Sequence, residues 1–433
     1  MVLRKPFWIT IGVIGVSTFL TWYSSIYSAF PQAKDNFLRL TTAAVLFLAI
    51  NWIWTLISVR KLTVKRHQRL KRLQVGNVFE EEFEVINPIR LSRLWIEIED
   101  LSSLPGKTGS KVLAGIGGRK NRYYFSRTIL TKRGSYLLGP TKISSGDPFG
   151  MFVNEKIIPG ENELIVLPYI IDIVKFYEPL GYLQGGRSIK QKSLEATSFA
   201  SGVREYQPGD PLNRIHWKSS AKKNKFLVKE FDQDPQADVW VIVDAFEKNN
   251  YQEMNDEFLD FADSFWALKK KSAFKFPKST FEYAIGCAAS LSAFFIKIEK
   301  SVGLACADKK FTVISPEKGS RQEIKLLETM AFLKGIGTIP LNEVIESLGG
   351  QMVRGSTVVV ISAAEYPEIQ LSLEILLRRK LRPIIIQINK ASFMKEEDIS
   401  IDSIDSIDTL NLPKVTINFG DDIATSLQSI INY

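Results

Sequence analysis

The amino-acid sequence predicts an α+β protein in several parts: two N-terminal transmembrane helices, a small antiparallel β-sandwich or barrel domain, and a doubly wound α/β domain. Three observations carry that reading. Residues 7–30 and 40–59 hold no charged side chain over 24 and 20 positions. Between 83 and 168, short segments alternate apolar and polar residues and are separated by Gly, Pro, Asn or Asp. From 226 onward, apolar strand-like runs alternate with helical patterns, as in a mainly parallel sheet. The 433 residues allow two or three domains. Boundaries are expected at 1–72, 73–170, 171–201 (a connector) and 202–433.

The first part is a membrane hairpin. Twenty helical residues rise about 30 Å, the thickness of a hydrocarbon core. A removable signal peptide fits the first segment less well, because its apolar stretch is too long and a second span follows at once. The flanks set the orientation. Arg4 and Lys5 precede the first span, the loop PQAKDN between the spans has one base and one acid, and residues 60–72 carry seven Lys or Arg and no acid. Positive flanks stay inside. The expectation is therefore a two-span protein of the cell (inner) membrane, with both termini and the soluble body cytoplasmic. The run at 60–72 reads as a juxtamembrane contact to anionic lipid, with nucleic acid as the weaker alternative.

The β part is read from FEVIN (83–87), LWIEIEDL (94–101), RYYFSRTIL (122–130), GSYLLGPTKIS (134–144) and NELIVLP (162–168). Residues 171–201 are polar and rich in Gly, Ser and Lys, as expected of a connector. In the α/β part, strands are expected at FLVKEFD, 237–245, 302–308, 311–315, 356–364, 382–389 and KVTINFG. Helices are expected at 281–300, 321–335, 342–349, 369–380 and from Asp421. The ISIDSIDSID repeat (399–408) reads as a surface insertion.

Familiar catalytic patterns fail on inspection. SSLPGKTGS (102–110) resembles a phosphate loop, but the required first glycine is Leu101 and the context is a sheet. GIGGRK (115–120) is a turn between strands. Cys287 and Cys306 have no partner spacing for zinc or a disulfide framework. His67 and His216 are the only histidines, so imidazole base chemistry would rest on His216.

The stretch REYQPGDPLNRIHWKSSAKKNKFLVKEF (204–231) stands out, with seven Lys or Arg, a His and a Trp. Asp210 as N-cap and Pro211 at the first helical position predict a helix running to about Lys223. Arg214, Lys218 and Lys222 would then form a basic ridge at i, i+4, i+8. Two readings stand side by side. In one the ridge meets an acidic partner, with Arg204 and Arg214 holding carboxylates in fork geometry and Trp217 as the apolar anchor. In the other Arg214 pairs with Glu205 or Glu230, and Trp217 fills a joint between domains. An enzyme with His216, Asp210 and Glu230 around a cleft is the alternative function. Nucleic-acid binding by the ridge is weaker, because few exposed aromatics are expected among the bases.

GVREYQPGDPLNRIHWKSSAKKNKFLVKEFDQD resembles the signature of the domain-of-unknown-function family number 58. The resemblance extends to RGSYLLGPTKISSGDPFGMF (133–152) and to the paired N-terminal helices. It implies that Arg204, Tyr206, Gly209, Asp210, Arg214, His216, Trp217 and Lys218 form the binding signature. It also implies a C-terminal region similar to a von Willebrand factor A (VWA) domain, and a MoxR-type AAA+ ATPase as partner in assembly or maturation of other proteins. Such domains often hold Mg²⁺ on a D-x-S-x-S loop, a Thr and an acid. Here the loop reads Asp244-Ala-Phe246-Glu-Lys248, the Thr is Thr338 and the acid position falls in SAAEYP. Phe and Lys replace both serines, so a degenerate site without metal or other cofactor is expected. The function expected is a membrane-anchored, non-catalytic adaptor or scaffold bound to lipid and a protein partner, with no nucleic acid.

Overall fold

The computed structural model describes residues 2–26, 31–160, 162–177, 200–208, 210, 212, 215–231, 238–253, 274–394 and 412–430. The chain divides into two compact units: Met1–Tyr169 with Asp256–Lys275, and Ile170–Asn255 with Phe276–Tyr433.

The first unit opens with β1 (Val2–Leu3), α1 (Lys5–Ile26) and α2 (Pro31–Ser58). Both helices are long and apolar enough to cross a membrane, and only 6% and 11% of their apolar windows are buried. An outward-facing apolar surface of this extent marks a contact with membrane or protein. Thr41 Oγ1 donates to Ser17 Oγ across the pair at 2.9 Å, a small polar clasp of the kind that joins helices in lipid. The PQAKDN segment, expected as a loop, forms the first turns of α2, with Pro31 at its first position.

Ten strands follow: β2 (Thr63–Gln68), β3 (Arg72–Gln74), β4 (Val78–Ile86), β5 (Arg93–Asp100), β6 (Lys111–Ile116), β7 (Asn121–Ile129), β8 (Gly134–Leu138), β9 (Thr141–Gly146), β10 (Phe152–Ile158) and β11 (Asn162–Leu167). Among the described residues they form three sheets, β1-β10-β9-β5-β6, β3-β11-β8 and β2-β4-β7, packed in layers rather than closed into one barrel. Val64, Phe83 and Val85 of the β2-β4-β7 sheet meet Ile96, Ile98, Leu113 and Ile143 of the first sheet in one core. A second core joins Phe79 and Leu130 to Leu138, Leu164 and Val166. The single strand expected at 134–144 breaks at Gly139-Pro140 into β8 and β9, which belong to different sheets. Gly139 has φ +100°, and a Cβ there would lie 2.5 Å from Gly160 Cα.

The basic run at 60–72 is corrected by the structure. It is largely β2, which pairs antiparallel with β4, so the boundary expected at 73 falls inside a sheet. The period of two turns Lys65 and His67 outward and Arg66 inward. Arg66 is nearly buried, with its Nε 2.6 Å from Glu81 Oε1 and its Nη1 2.8 Å from Asp100 Oδ1. Its guanidinium also lies 4.7 Å from the Phe83 ring centroid. The two carboxylates respond differently. Burial pushes Glu81 up, and Arg66 offsets that only in part. Asp100 feels the same burial, but Ser102 donates to it through both Oγ and N, and with Arg66 this holds its carboxyl below the usual range. Thr108 and Lys107 of the rejected phosphate loop are occupied structurally, donating to the carbonyls of Arg127 and Ser102.

In the second unit the first residues of the expected connector dock on a helix: Phe176 packs edge-on against Phe295 at 5.7 Å, and Ile171 N donates to Ser290 Oγ. Residues 178–199, and the repeat at 399–408, lie outside the described residues. β12 (Ala200–Glu205), α3 (Trp217–Lys223) and β13 (Leu227–Phe231) come next, followed by β14 (Val239–Val243), α4 (Thr280–Lys297), β15 (Val302–Ala307), β16 (Phe311–Glu317), α5 (Ser320–Phe332), α6 (Leu341–Leu348), β17 (Thr357–Ser362), α7 (Tyr366–Arg378), β18 (Arg382–Ile388), β19 (Lys414–Ile417) and α8 (Ile423–Ser429). FLVKEFD does not join the large sheet; it is β13, paired with β12 in a separate ribbon. Among the described residues the large sheet runs β16-β15-β14-β17-β18-β19, parallel except for β16. Trp240 and Ile242 pack with Val358 and Val360 beneath α6 and α7 on one face. Val239, Val241 and Val243 alternate to the other face, and α4 packs on β14 and β17. Strand order reverses between β14 and β17, where the carboxyl ends of doubly wound strands leave a crevice.

Candidate functional site

The signature stretch is a strand–helix–strand ribbon. β12 and β13 pair with Arg204 opposite Val228 and Glu205 opposite Leu227. Between them the chain folds back, with Ile215 bridging to Val228. The helix expected from Asp210 is shorter than the sequence implied. Asp210 is not its N-cap: both its carboxylate oxygens hold Arg204, Nη1–Oδ2 at 2.7 Å and Nη2–Oδ1 at 2.6 Å, and Oδ2 also accepts Gln207 N–H. Arg204 thus has its fork, but on a carboxylate of its own chain. The helix starts at Trp217, and His216 caps it, its Nδ1 accepting Ser219 N–H at 3.1 Å. That contact engages Nδ1 as the acceptor of the cap. Asn224 closes the helix in the left-handed conformation at φ 52°.

The aromatic residues lie on the outside. Trp217, expected either as an apolar anchor for a partner or as the filler of a joint, is 63% exposed and meets Phe226 edge-on at 6.4 Å. Phe226 is 59% exposed and lies 6.3 Å from Tyr206. Lys218, Lys222, Lys223 and Lys225 are exposed around this ladder. Glu205, offered as a partner for Arg214, pairs with Lys225 at 3.1 Å. Gly209 and Arg214 lie outside the described residues, as does the Glu230 side chain, so the ridge is represented by Lys218 and Lys222 on α3. The expectation of few exposed aromatics among the bases is overturned: an aromatic ladder runs through them. Phe226 was missed in the sequence because it opens a strand and reads as core. Its neighbours give the signal, since it follows Lys222-Lys223-Asn224-Lys225 without an apolar residue between.

The second candidate lies at the end of β14. Asp244 is buried, and its oxygens are taken by protein donors: Phe246 N at 3.0 Å, Asn249 Nδ2 at 3.0 Å and Ser362 Oγ at 2.6 Å. Gly337 lies against this loop, donating to Ala245 O and bridging to Phe246. A Cβ at Gly337 would meet Ala307 O at 2.0 Å, so only glycine lets the loops approach. The fold therefore does bring the Thr338 loop beside Asp244, but the Thr338 residue is exposed. Lys248 Nζ lies 5.8 Å from the Phe246 ring centroid, adding positive charge to the loop. This donor set does not fit a hard divalent cation, which needs several free oxygens. Among the described residues no group of three or more His, Cys, Asp or Glu could hold a metal.

Comparison with known proteins is informative for the second unit. The chain is 25% identical over 132 residues to an uncharacterized protein, YeaD, of Bacillus subtilis (strain 168), covering 28% of this chain and 31% of that one. The chain thus spans about a third of the length of this curated relative. Among solved structures, the CARDB domain of the PF1109 protein from Pyrococcus furiosus aligns at TM-score 0.17 and 13% identity, over 24% of this chain and 92% of that one. Proximal thread matrix protein 1 of the mussel byssus aligns at TM-score 0.27 and 12% identity, over 45% of this chain and 47% of that one. The ribbon from Gly202 on, the Asp244 loop and five of the six strands of the large sheet fall within residues 202–392, the span that matches the model of the family described as protein of unknown function DUF58.

Proposed function

We propose that the protein is a membrane-anchored adaptor or scaffold whose cytoplasmic body holds a protein partner on the β12–α3–β13 ribbon. The observation that carries this reading is the exposed Trp217–Phe226 pair set among Lys218, Lys222, Lys223 and Lys225. Exposed aromatic anchors inside a charged rim are the composition of interface hot spots. The lysines select an acidic surface and speed its approach. By the resemblance of the signature, the partner is a MoxR-type AAA+ ATPase or its client, in assembly or maturation of other proteins. The VWA-like reading of the second unit is supported by β14 ending at Asp244 in the middle of the sheet, with the cation replaced by protein donors. The inner-membrane, body-inside orientation is supported by Arg4, Lys5 and the basic residues after α2.

The test uses the full chain in its native membrane, with a photo-crosslinking amino acid at Trp217. The expected product is a crosslink to an AAA+ ATPase, lost when Lys218 and Lys222 are both changed to Glu. A crosslink to nucleic acid, with retention on single-stranded oligonucleotide that falls steeply with salt, overturns the reading. So does an ATPase crosslink unaffected by the charge reversal.

A further inference from the structure

The connection between β9 and β10 is a tight turn, Asp147-Pro148-Phe149-Gly150. Asp147 is fully buried and its carboxylate accepts N–H groups from Phe149, Met151 and Phe152. Gly150 N closes the turn on Asp147 O, and Gly150 has φ +68°, a value glycine adopts freely. All this main-chain fixing serves a tip that is not buried: Pro148 is exposed and Phe149 is 59% exposed. A rigid turn that presents a large apolar ring to water needs an explanation.

Its neighbours supply one. The Phe149 ring packs edge-on against Phe47 of α2 at 4.9 Å. The next residues of the turn meet the start of α1: Phe152 packs on Phe7 at 5.3 Å, Thr10 Oγ1 lies 3.6 Å from Met151 Sδ, and Arg4 N donates to Met151 O. Phe47 is eleven residues before the end of α2, but the last turns of that helix bury Asn51, Thr55 and Ser58, and Ser58 reaches β9. The contacts with Arg4, Phe7 and Thr10 set the turn level with the first turns of α1, where Arg4 and Lys5 give way to the apolar span. Aromatic rings gather at that depth in membrane proteins, and lysine and arginine mark its polar side.

We infer that the 147–150 turn is a wedge that inserts Phe149 into the headgroup–acyl boundary of the bilayer, beside the two spans. This rests on α1 and α2 crossing the membrane, and does not depend on the ribbon or its partner. Asp147 holds the wedge and Phe149 fills the lipid. The surface is continuous with the lipid-facing side of α2, so the occupant is bilayer rather than another protein.

Cys287 and Cys306 are both buried, so a cysteine placed at the tip is the exposed thiol to follow. Phe149→Cys and, as a distal control, Val78→Cys are compared in the full chain reconstituted into liposomes of phosphatidylethanolamine and phosphatidylglycerol. β2 leaves the end of α2 with Thr63 opposite Ile86, so Val78 sits at the far end of β4, about 26 Å further on. It is 43% exposed. The expected result is loss of labelling by a membrane-impermeant maleimide at 149 but not at 78, with labelling at 149 restored in detergent. A fluorophore attached at 149 should be quenched by lipids carrying a doxyl group high on the acyl chain. Labelling at the rate of the control overturns the inference, and so does protection without lipid quenching, which would mean that protein covers the tip. If labelling shows α1 and α2 outside the bilayer, the spanning reading fails first and the two failures are told apart.

Discussion

Arg66 grips Glu81 with two parallel contacts, Nε–Oε1 at 2.6 Å and Nη2–Oε2 at 2.7 Å, inside the β-domain. The same guanidinium reaches Asp100, so one cation holds two buried acids. Removing one member of such a group leaves uncompensated charge in a poor solvent. Arg66→Ala should therefore destabilise the first unit by about 3–5 kcal/mol. Hydrogen exchange of β2 and β4 in the full chain should report it as lost protection. Replacing all three residues with apolar ones should restore most of the protection, because the burial cost then disappears with the charges.

Asp100 gives this network a pH dependence. Its folded carboxyl is held below the ordinary range, so the folded state binds its proton more weakly than the unfolded chain does. The sign follows: the stabilisation is present above the unfolded value, roughly 4 for aspartate, and is lost as pH falls through the depressed folded value. Denaturation midpoints of the β-domain should fall over that acid window in the wild type. In Ser102→Ala the fall should begin at higher pH, because the substitution removes the Ser102 Oγ hydrogen bond that helps lower Asp100 and leaves only the backbone N–H donor.

His216 is placed as a cap. His216→Ala should cost about 0.5–2 kcal/mol of local stability, read as faster exchange in α3, and His216→Asn should recover it because the amide oxygen can accept Ser219 N–H. An activity lost in both variants would instead assign chemistry to the imidazole.

Asp244→Ala orphans Ser362 Oγ and Asn249 Nδ2, and should lower stability by about 1–3 kcal/mol for each buried donor left without a partner. Magnesium should leave the Tm of the wild type unchanged. A rise in Tm with magnesium that Asp244→Ala abolishes would show the aspartate to be a ligand.

Much of the architecture was legible in the chain. The α/β strands announce themselves because apolar residues on both faces make near-continuous runs such as VVVIS, and the membrane helices because 20 uncharged residues have few other uses. β2 was hidden: a strand written TVKRHQ looks like a lipid-facing basic tail until Glu81 and Asp100 are found beneath Arg66. β6 and β10, KVLAGI and FVNEKII, lack clean alternation because only some of their positions face a core. In the ribbon, Asp210 carries a strong local helix-start signal, but its carboxylate holds Arg204, six residues away, and α3 begins only at Trp217. A histidine cap is not among the preferred types, so the true start at Trp217 had no marker. Phe226 reads as part of a strand by its chemistry alone, and only its basic neighbours show that it faces outward beside Trp217.

The apolar hairpin of α1 and α2 is stitched to the β-domain at both ends. Before α1, Val2 and Leu3 add a strand to β10; after α2, Ser58 donates to Ser145 O of β9. Two attachments on one sheet remove the swivel that a single linker would leave. The hairpin and the sheet must then lean together, so a bilayer that tilted the two helices would turn that sheet with them.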